Sequence, residues 1–244
     1  YKSPWGVGRP GWHIECSAMS KRHLADEIDI HAGGADLIFP HHENEIAQSE
    51  CTNGCRFVKY WLHNGFVTIN KEKMSKSLGN FITIEGLLDK YDANTIRFFI
   101  LTNNYRMPVE FNDEALEAAQ AGAKRLKNAA NNVLAWVGKD ALIDVAESDE
   151  IEEFKAAMND DFNTSKALAV LFEPATKANK AKDENDKDNA IKYISILIKL
   201  ARVLGFDLEK VELDENQLKE KLAEIIDEFD FIEDKDIIAK ANAK

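Results

Sequence analysis

The sequence predicts an α/β unit followed by an all-α antiparallel bundle, and three observations predict it. Between residues 12 and 69, helix-forming and strand-forming stretches alternate, the order that builds parallel crossover units. From about residue 83 onward the apolar residues recur at helical spacing. Charge divides near the same place: residues 1–110 carry 12 Lys+Arg against 13 Asp+Glu, whereas residues 111–244 carry 19 against 30. The expected division is a first unit over 1–110, a helical bundle over 111–208 and a C-terminal helical extension over 209–244.

Each element has a local cause. The opening Ser3-Pro4-Trp5-Gly6-Val7-Gly8-Arg9-Pro10-Gly11 reads as an irregular loop leading into a helix over 12–24. A short strand over 28–31 should stop at Gly33-Gly34, and a helix over 41–50 should follow Pro40. A second strand is expected over 61–69, with Asn64-Gly65 as a bulge. Asp92 is placed to cap a helix carrying Ile96, Phe99 and Ile100, and Asn112 to cap one that runs through Leu116, Ala119 and Leu126 to Trp136. Two further helices are read over 163–182, kinked or shortened at Pro174, and over 187–206, with 181–189 as a mobile link. In the last of these, Ile191, Ile194, Leu197 or Ile198, Ala201 and Leu204 make a core-facing stripe. A final helix is expected over 213–229.

Composition narrows the class. With 45% hydrophobic residues the chain can bury a real core, yet its apolar stretches, such as 98–101 and 194–198, are far too short to span a bilayer. Three cysteines without the spacing of a secreted disulfide scaffold suggest a reducing compartment, hence the cytoplasm. No signal peptide is visible, although the chain begins at Tyr1 rather than Met. The acidic second part argues against a broad nucleic-acid face there.

Chemistry concentrates in the first unit, where all six histidines and all three cysteines fall within 63 residues. Lys73-Met74-Ser75-Lys76-Ser77 places two ammonium groups among small hydroxyl residues, a loop suited to a triphosphate from which pyrophosphate departs. His41 and Glu45, four apart, leave the same face of a helix, and Cys16 on the preceding helix adds a soft thiolate. That ligand set suits zinc better than calcium, magnesium or manganese, and three ligands leave a position open. Gly33-Gly34 permits close approach of the backbone to a ligand, with Asp36 placed to accept from ribose hydroxyls. Cys51 and Cys55 read as incidental. A zinc hydrolase with Glu43 as general base is a rival reading, but His41 and His42 are adjacent rather than an H-E-x-x-H pair. A noncatalytic RNA-binding or metal-storage protein is a third.

The lysine loop resembles the signature loop of the class I aminoacyl-tRNA synthetases. Gly11-Trp12-His13-Ile14-Glu15-Cys16-Ser17, Asp29-Ile30-His31-Ala32-Gly33-Gly34-Ala35-Asp36 and Phe39-Pro40-His41-His42-Glu43-Asn44-Glu45 precede it in the order found in the cysteinyl-tRNA synthetase family. Asp160-Asp161-Phe162-Asn163-Thr164 is similar to the start of a helix in that family's helical domain. The resemblance implies the later part of a Rossmann-like catalytic domain plus the bundle. It implies ATP-dependent activation of L-cysteine and transfer to tRNA(Cys), by a monomer that uses Mg-ATP and has no membrane partner. By the same resemblance one zinc ion per chain rests on Cys16, His41 and Glu45 and takes the substrate thiolate, while Lys73 and Lys76 act on the phosphates beside Ser75. Gly33, Asp36 and the main chain near Val67 fall at adenylate positions, Trp12 and His31 line the amino-acid pocket, and His13, His42 and Glu43 stand as supporting partners. A related ligase that joins cysteine to an amino sugar remains the nearest alternative. Two family features do not occur here: the upstream segment with its His-Ile-Gly-His-type motif and further zinc cysteine, and a C-terminal anticodon-recognition region. The chain is therefore expected to be cut at both ends and to have little activity alone.

Overall fold

The structure, a computed structural model, describes residues 1–69, 72–74 and 82–209. The opening segment is less irregular than its composition suggests, because Lys2–Ser3 (β1) and Gly6–Val7 (β2) pair as a small antiparallel hairpin. Helix α1, Trp12–His23, follows, with Lys21, Arg22 and His23 in its last turn, where basic side chains favour the helix dipole. Strand β3 spans Ile28–Gly34, so the two glycines continue the strand rather than stop it. The reason is close packing, since a Cβ on Gly33 would lie 2.8 Å from His42 Cε1.

A 3-10 turn, Ala35–Leu37, and a wider turn, Ile38–His42, carry the chain into α2, Glu43–Asn53. Helix α2 therefore starts two residues later than Pro40 suggests. It ends at Gly54, whose φ of 69° suits glycine. Strand β4, Val58–Asn64, returns parallel to β3, with Ile28 opposite Val58 and Gly34 opposite Asn64.

The expected single strand over 61–69 is two strands in two sheets. After β4, the chain switches at Asn64-Gly65 into β5, Val67–Ile69, which pairs antiparallel with β6, Glu72–Lys73, and parallel with a later strand, β7, Val109–Phe111. Gly65 is no bulge. It faces another backbone so closely that a Cβ would lie 2.3 Å from the Met107 carbonyl oxygen. The remainder of the lysine loop, Ser75 and Lys76 included, and the helix expected over 213–229 lie outside the described residues.

The helical part begins with α3, Ile84–Leu88, capped by Thr83, and α4, Ala93–Leu101, where Asp92 Oδ1 accepts from the Asn94 and Thr95 amides. Helix α5, Asp113–Val137, starts at Asn112 as its spacing predicts. Helix α6, Asp149–Asn159, capped by Ser148, has no counterpart in the sequence reading. Helices α7, Thr164–Asp183, and α8, Lys187–Val203, complete the bundle. Pro174 neither shortens nor interrupts α7: it is fully buried against the core, and the surrounding packing holds a helix from which one hydrogen bond is missing. The link between α7 and α8 is a tight turn over 184–186, not a mobile stretch, with Asn185 at φ 57° and Asp186 capping α8. One core joins Leu116, Leu126, Leu171, Ile194 and Leu197 to Phe98 and Phe99 of α4 and Val109 of β7.

Candidate metal centre

Three neighbouring pieces of chain converge on one carboxylate. Helix α1 contributes Cys16, the turn before α2 contributes His41, and the first turn of α2 contributes Glu45, which is completely buried. One ligand atom from each of Cys16, His41 and Glu45 lies within 4.8 Å of the others. His41 Nε2 stands 2.6 Å from Glu45 Oε1, and His31 Nε2 on β3 stands 3.6 Å from Glu45 Oε2. Neither oxygen of that carboxylate nevertheless receives an aligned hydrogen bond. A buried carboxylate surrounded by soft and borderline donors, with its lone pairs uncommitted, fits a cation.

The surroundings hold the ligands in place. His41 Nδ1 shares a hydrogen bond of 2.7 Å with His13 Nδ1, which leaves Nε2 toward Glu45. His42 Nδ1 pairs with His63 Nε2 at 2.8 Å, and the Trp61 ring packs 4.7 Å from His31 and 4.8 Å from His42. Burial first, then the neighbouring His31, His63 and His41, lowers the pKa of His42 to about 4. Burial lowers His31 and His41 as well. Burial pushes Glu45 up to about 7. It also raises the Cys16 thiol, with Glu45 and Glu15 adding to the effect. Without a cation the pocket thus favours neutral rings and a protonated thiol; a divalent ion reverses the sign of that field.

A second group, His31, His42 and Glu45, also has ligand atoms within 4.8 Å, so Glu45 is common to both sets. Only the Cys16 set contains a thiolate donor. Trp12 stands at the open side, its ring 4.2 Å from that of His41 and more than half exposed. Gly33 backs onto His42, and the Asp36 carboxylate folds toward Gly34, where a Cβ would meet Oδ1 at 2.5 Å. Val67 lies in the other sheet, and its carbonyl already accepts the Met74 amide at 3.0 Å. Lys73 ends β6, while Glu43 opens α2. Cys51 and Cys55 are exposed and stand apart from the ligand groups.

Sequence reasoning missed His63 and Trp61. Their signal is the parallel register, which sets His31 opposite Trp61 and Gly33 opposite His63, so that alternate residues of β4 continue the histidine-lined face.

The family model for the class I (C) tRNA synthetase catalytic domain matches residues 1–121, and that for the DALR domain matches residues 153–209. A cysteine–tRNA ligase of Hahella chejuensis is 48% identical over 243 residues, covering 100% of this chain and 51% of that protein. The cysteine–tRNA ligase of Laribacter hongkongensis is 56% identical over 182 residues, covering 75% of this chain and 39% of that protein. The chain spans about half the length of the first of these relatives. Among solved structures, a leucyl-tRNA synthetase complex from Agrobacterium radiobacter matches with a TM-score of 0.57 at 15% identity, covering 78% of this chain and 29% of that one. Methionyl-tRNA synthetase of Mycobacterium tuberculosis, bound to methionyl-adenylate, matches at 0.53 and 18%, covering 80% and 44%. At such identities the two structures establish the fold alone.

Proposed function

The chain belongs to the cysteinyl-tRNA synthetase family of class I, and from that premise we propose that the protein containing it activates L-cysteine with ATP and transfers it to tRNA(Cys). Cysteinyl adenylate and pyrophosphate are the products of the first step. The observation that supports this reading is the convergence of Cys16, His41 and Glu45 around a buried carboxylate with no aligned donor.

Cys16, His41 and Glu45 would hold one zinc ion per chain, with His13 orienting the His41 ring. When bound, zinc would supply a soft Lewis acid that favours a thiolate over a hydroxyl. Serine differs from cysteine by one atom, a difference that an apolar pocket separates only weakly, so selection at sulfur removes the need for an editing site. Trp12 and His31 line the amino-acid side. Gly33 and Asp36 meet the adenylate, with the Val67 main chain at the adenine. Lys73 and Lys76, beside Ser75, follow the negative charge onto the departing pyrophosphate; neither works as acid or base. Magnesium enters with ATP and is held mainly by the phosphates.

Residues 1–110 form the catalytic part, 111–208 the bundle beside the tRNA stem, and 209–244 an extension toward an anticodon-reading region. The enzyme acts as a cytoplasmic monomer. Among the described residues, no helix is long and apolar enough to cross a membrane.

The test is ATP/pyrophosphate exchange by the full-length protein, with serine as control and a chelated sample in parallel. Exchange with cysteine alone, lost on chelation and restored by zinc, is expected. Exchange that survives complete removal of the metal would refute zinc as the selector, and no exchange in zinc-loaded protein would refute the activity.

A further inference from the structure

The corner between α6 and α7 holds residues that the activation chemistry leaves without a role. Asp161 and Phe162 both have left-handed backbone there, with φ of 52° and 54°, a conformation unfavourable for residues other than glycine. Hydrogen bonds close the turn: the Phe162 amide donates to the Met158 carbonyl and the Asn163 amide to the Ala157 carbonyl, both at 3.1 Å. The turn presents the Asp161 carboxylate to the loop over 102–108, which joins α4 to β7.

The grip on that loop is directional. Arg106 Nε donates to Asp161 Oδ2 at 2.5 Å and Nη2 donates to Oδ1 at 3.0 Å, the paired fork of a guanidinium on a carboxylate. The Tyr105 hydroxyl donates to Asp161 Oδ1 at 2.8 Å. The Thr164 hydroxyl adds a second tie, donating to the Leu101 carbonyl at 2.8 Å. A half-exposed ion pair contributes little to stability, and two left-handed residues oppose it. What the arrangement secures is direction.

On its other side the same loop holds the root of the lysine loop. The Tyr105 carbonyl accepts the Gly65 amide at 2.8 Å, and the Val109 amide donates to the Phe66 carbonyl at 2.8 Å, where the parallel β5–β7 pair opens. The Val67 carbonyl in turn accepts the Met74 amide. Bundle corner, loop, strand pair and the foot of the lysine loop are therefore one continuous chain of direct contacts.

We propose that Asp161 is a positioning residue for the activation reaction: through Arg106 and Tyr105 it fixes the loop over 102–108, and with it β5, the strand on which β6 and the foot of the lysine loop pair, to the helical bundle. The proposal rests on the function given above. The test perturbs one end of this contact network and reads the other.

Asp161→Asn, Arg106→Lys and the double variant are made in the full-length protein, with wild type in parallel. Asp161→Asn keeps the shape and removes the charge; Arg106→Lys keeps the charge and removes the fork. Amide hydrogen exchange over residues 65–69 should rise about threefold in each single variant, the loss expected for one exposed bidentate pair. The kcat of cysteine-dependent pyrophosphate exchange should fall by about the same factor, KM for cysteine should hold, and the double variant should be no worse than the worse single. Unchanged hydrogen exchange over 65–69 would overturn the proposal, as would raised exchange with an unaltered kcat. A common fall in melting temperature with additive effects would reduce Asp161 to a structural role and also overturn it. Wild-type protein without cysteine-dependent activity would refute the proposed function itself, and the catalytic consequence of Asp161 with it.

Discussion

Glu45 shows what a single residue contributes. It is completely buried, it has His41 at 2.6 Å and His31 at 3.6 Å, and burial pushes its pKa to about 7, since among the described residues neither of its oxygens accepts an aligned hydrogen bond. A cation would offset its charge. His13 then matters through His41: removing it leaves all three ligands but frees the far nitrogen of the ring. His13→Ala should lower zinc affinity about 10–100-fold in a chelator-competition titration, and unchanged affinity would exclude the orienting role. Lys76→Ala should lower the activation rate about 100-fold or more with KM for cysteine unaltered; equal losses in both would contradict a role confined to the phosphates. His41 and Glu45 were legible as a pair because helical spacing alone puts them on one face. His63 and Trp61 were not, because their place depends on which strand lies beside β3 and in what register.

At the scale of elements, the caps were the most legible feature. Asp92 and Asn112 cap α4 and α5 where the sequence places them, since a short side-chain acceptor before an apolar periodic run answers the unpaired amides of the first turn. Helix α6 escaped notice, although Ser148 precedes Ile151 and Phe154 at helical spacing, because it is acidic and short. It is joined to α7 by a buried charge. Glu150 is 4% exposed and its carboxylate accepts from Lys177 Nζ at 2.7 Å. Burial acts to raise the pKa of Glu150, but the bonds from Lys177, the backbone and Ser148 outweigh it and hold the group below its ordinary 4.5. The sign follows: with the folded pKa below the unfolded one, the pair stabilises the fold above about pH 4.5, and that contribution is lost as pH falls through the lowered value. Glu150→Gln should cost about 1–2 kcal/mol at pH 7 and flatten the stability curve below pH 4.5, both read by urea unfolding. A variant with the wild-type acid dependence would show that the pair plays no part.

At the scale of the whole molecule, α4 is the seam. Its Phe98 ring contacts those of Phe172 and Phe206 and lies so close to α5 that a Cβ on Gly122 would stand 2.6 Å away. Phe98→Ala should destabilise the protein by about 3–5 kcal/mol in chemical unfolding, and a loss below about 1 kcal/mol would mean that α4 is peripheral to the core. By itself the sequence determined the class of fold, the caps of α4 and α5 and the apolar stripe of α8, because spacing and capping act within a few residues, and it offered Cys16, His41 and Glu45 as candidate ligands. Only the tertiary structure decided that the stretch over 61–69 divides between two sheets, that Pro174 sits within an unbroken helix, and that Trp61 and His63 join the histidine-lined face. Those outcomes depend on contacts between segments distant in sequence, where the packing of one backbone or ring against another outweighs local preference.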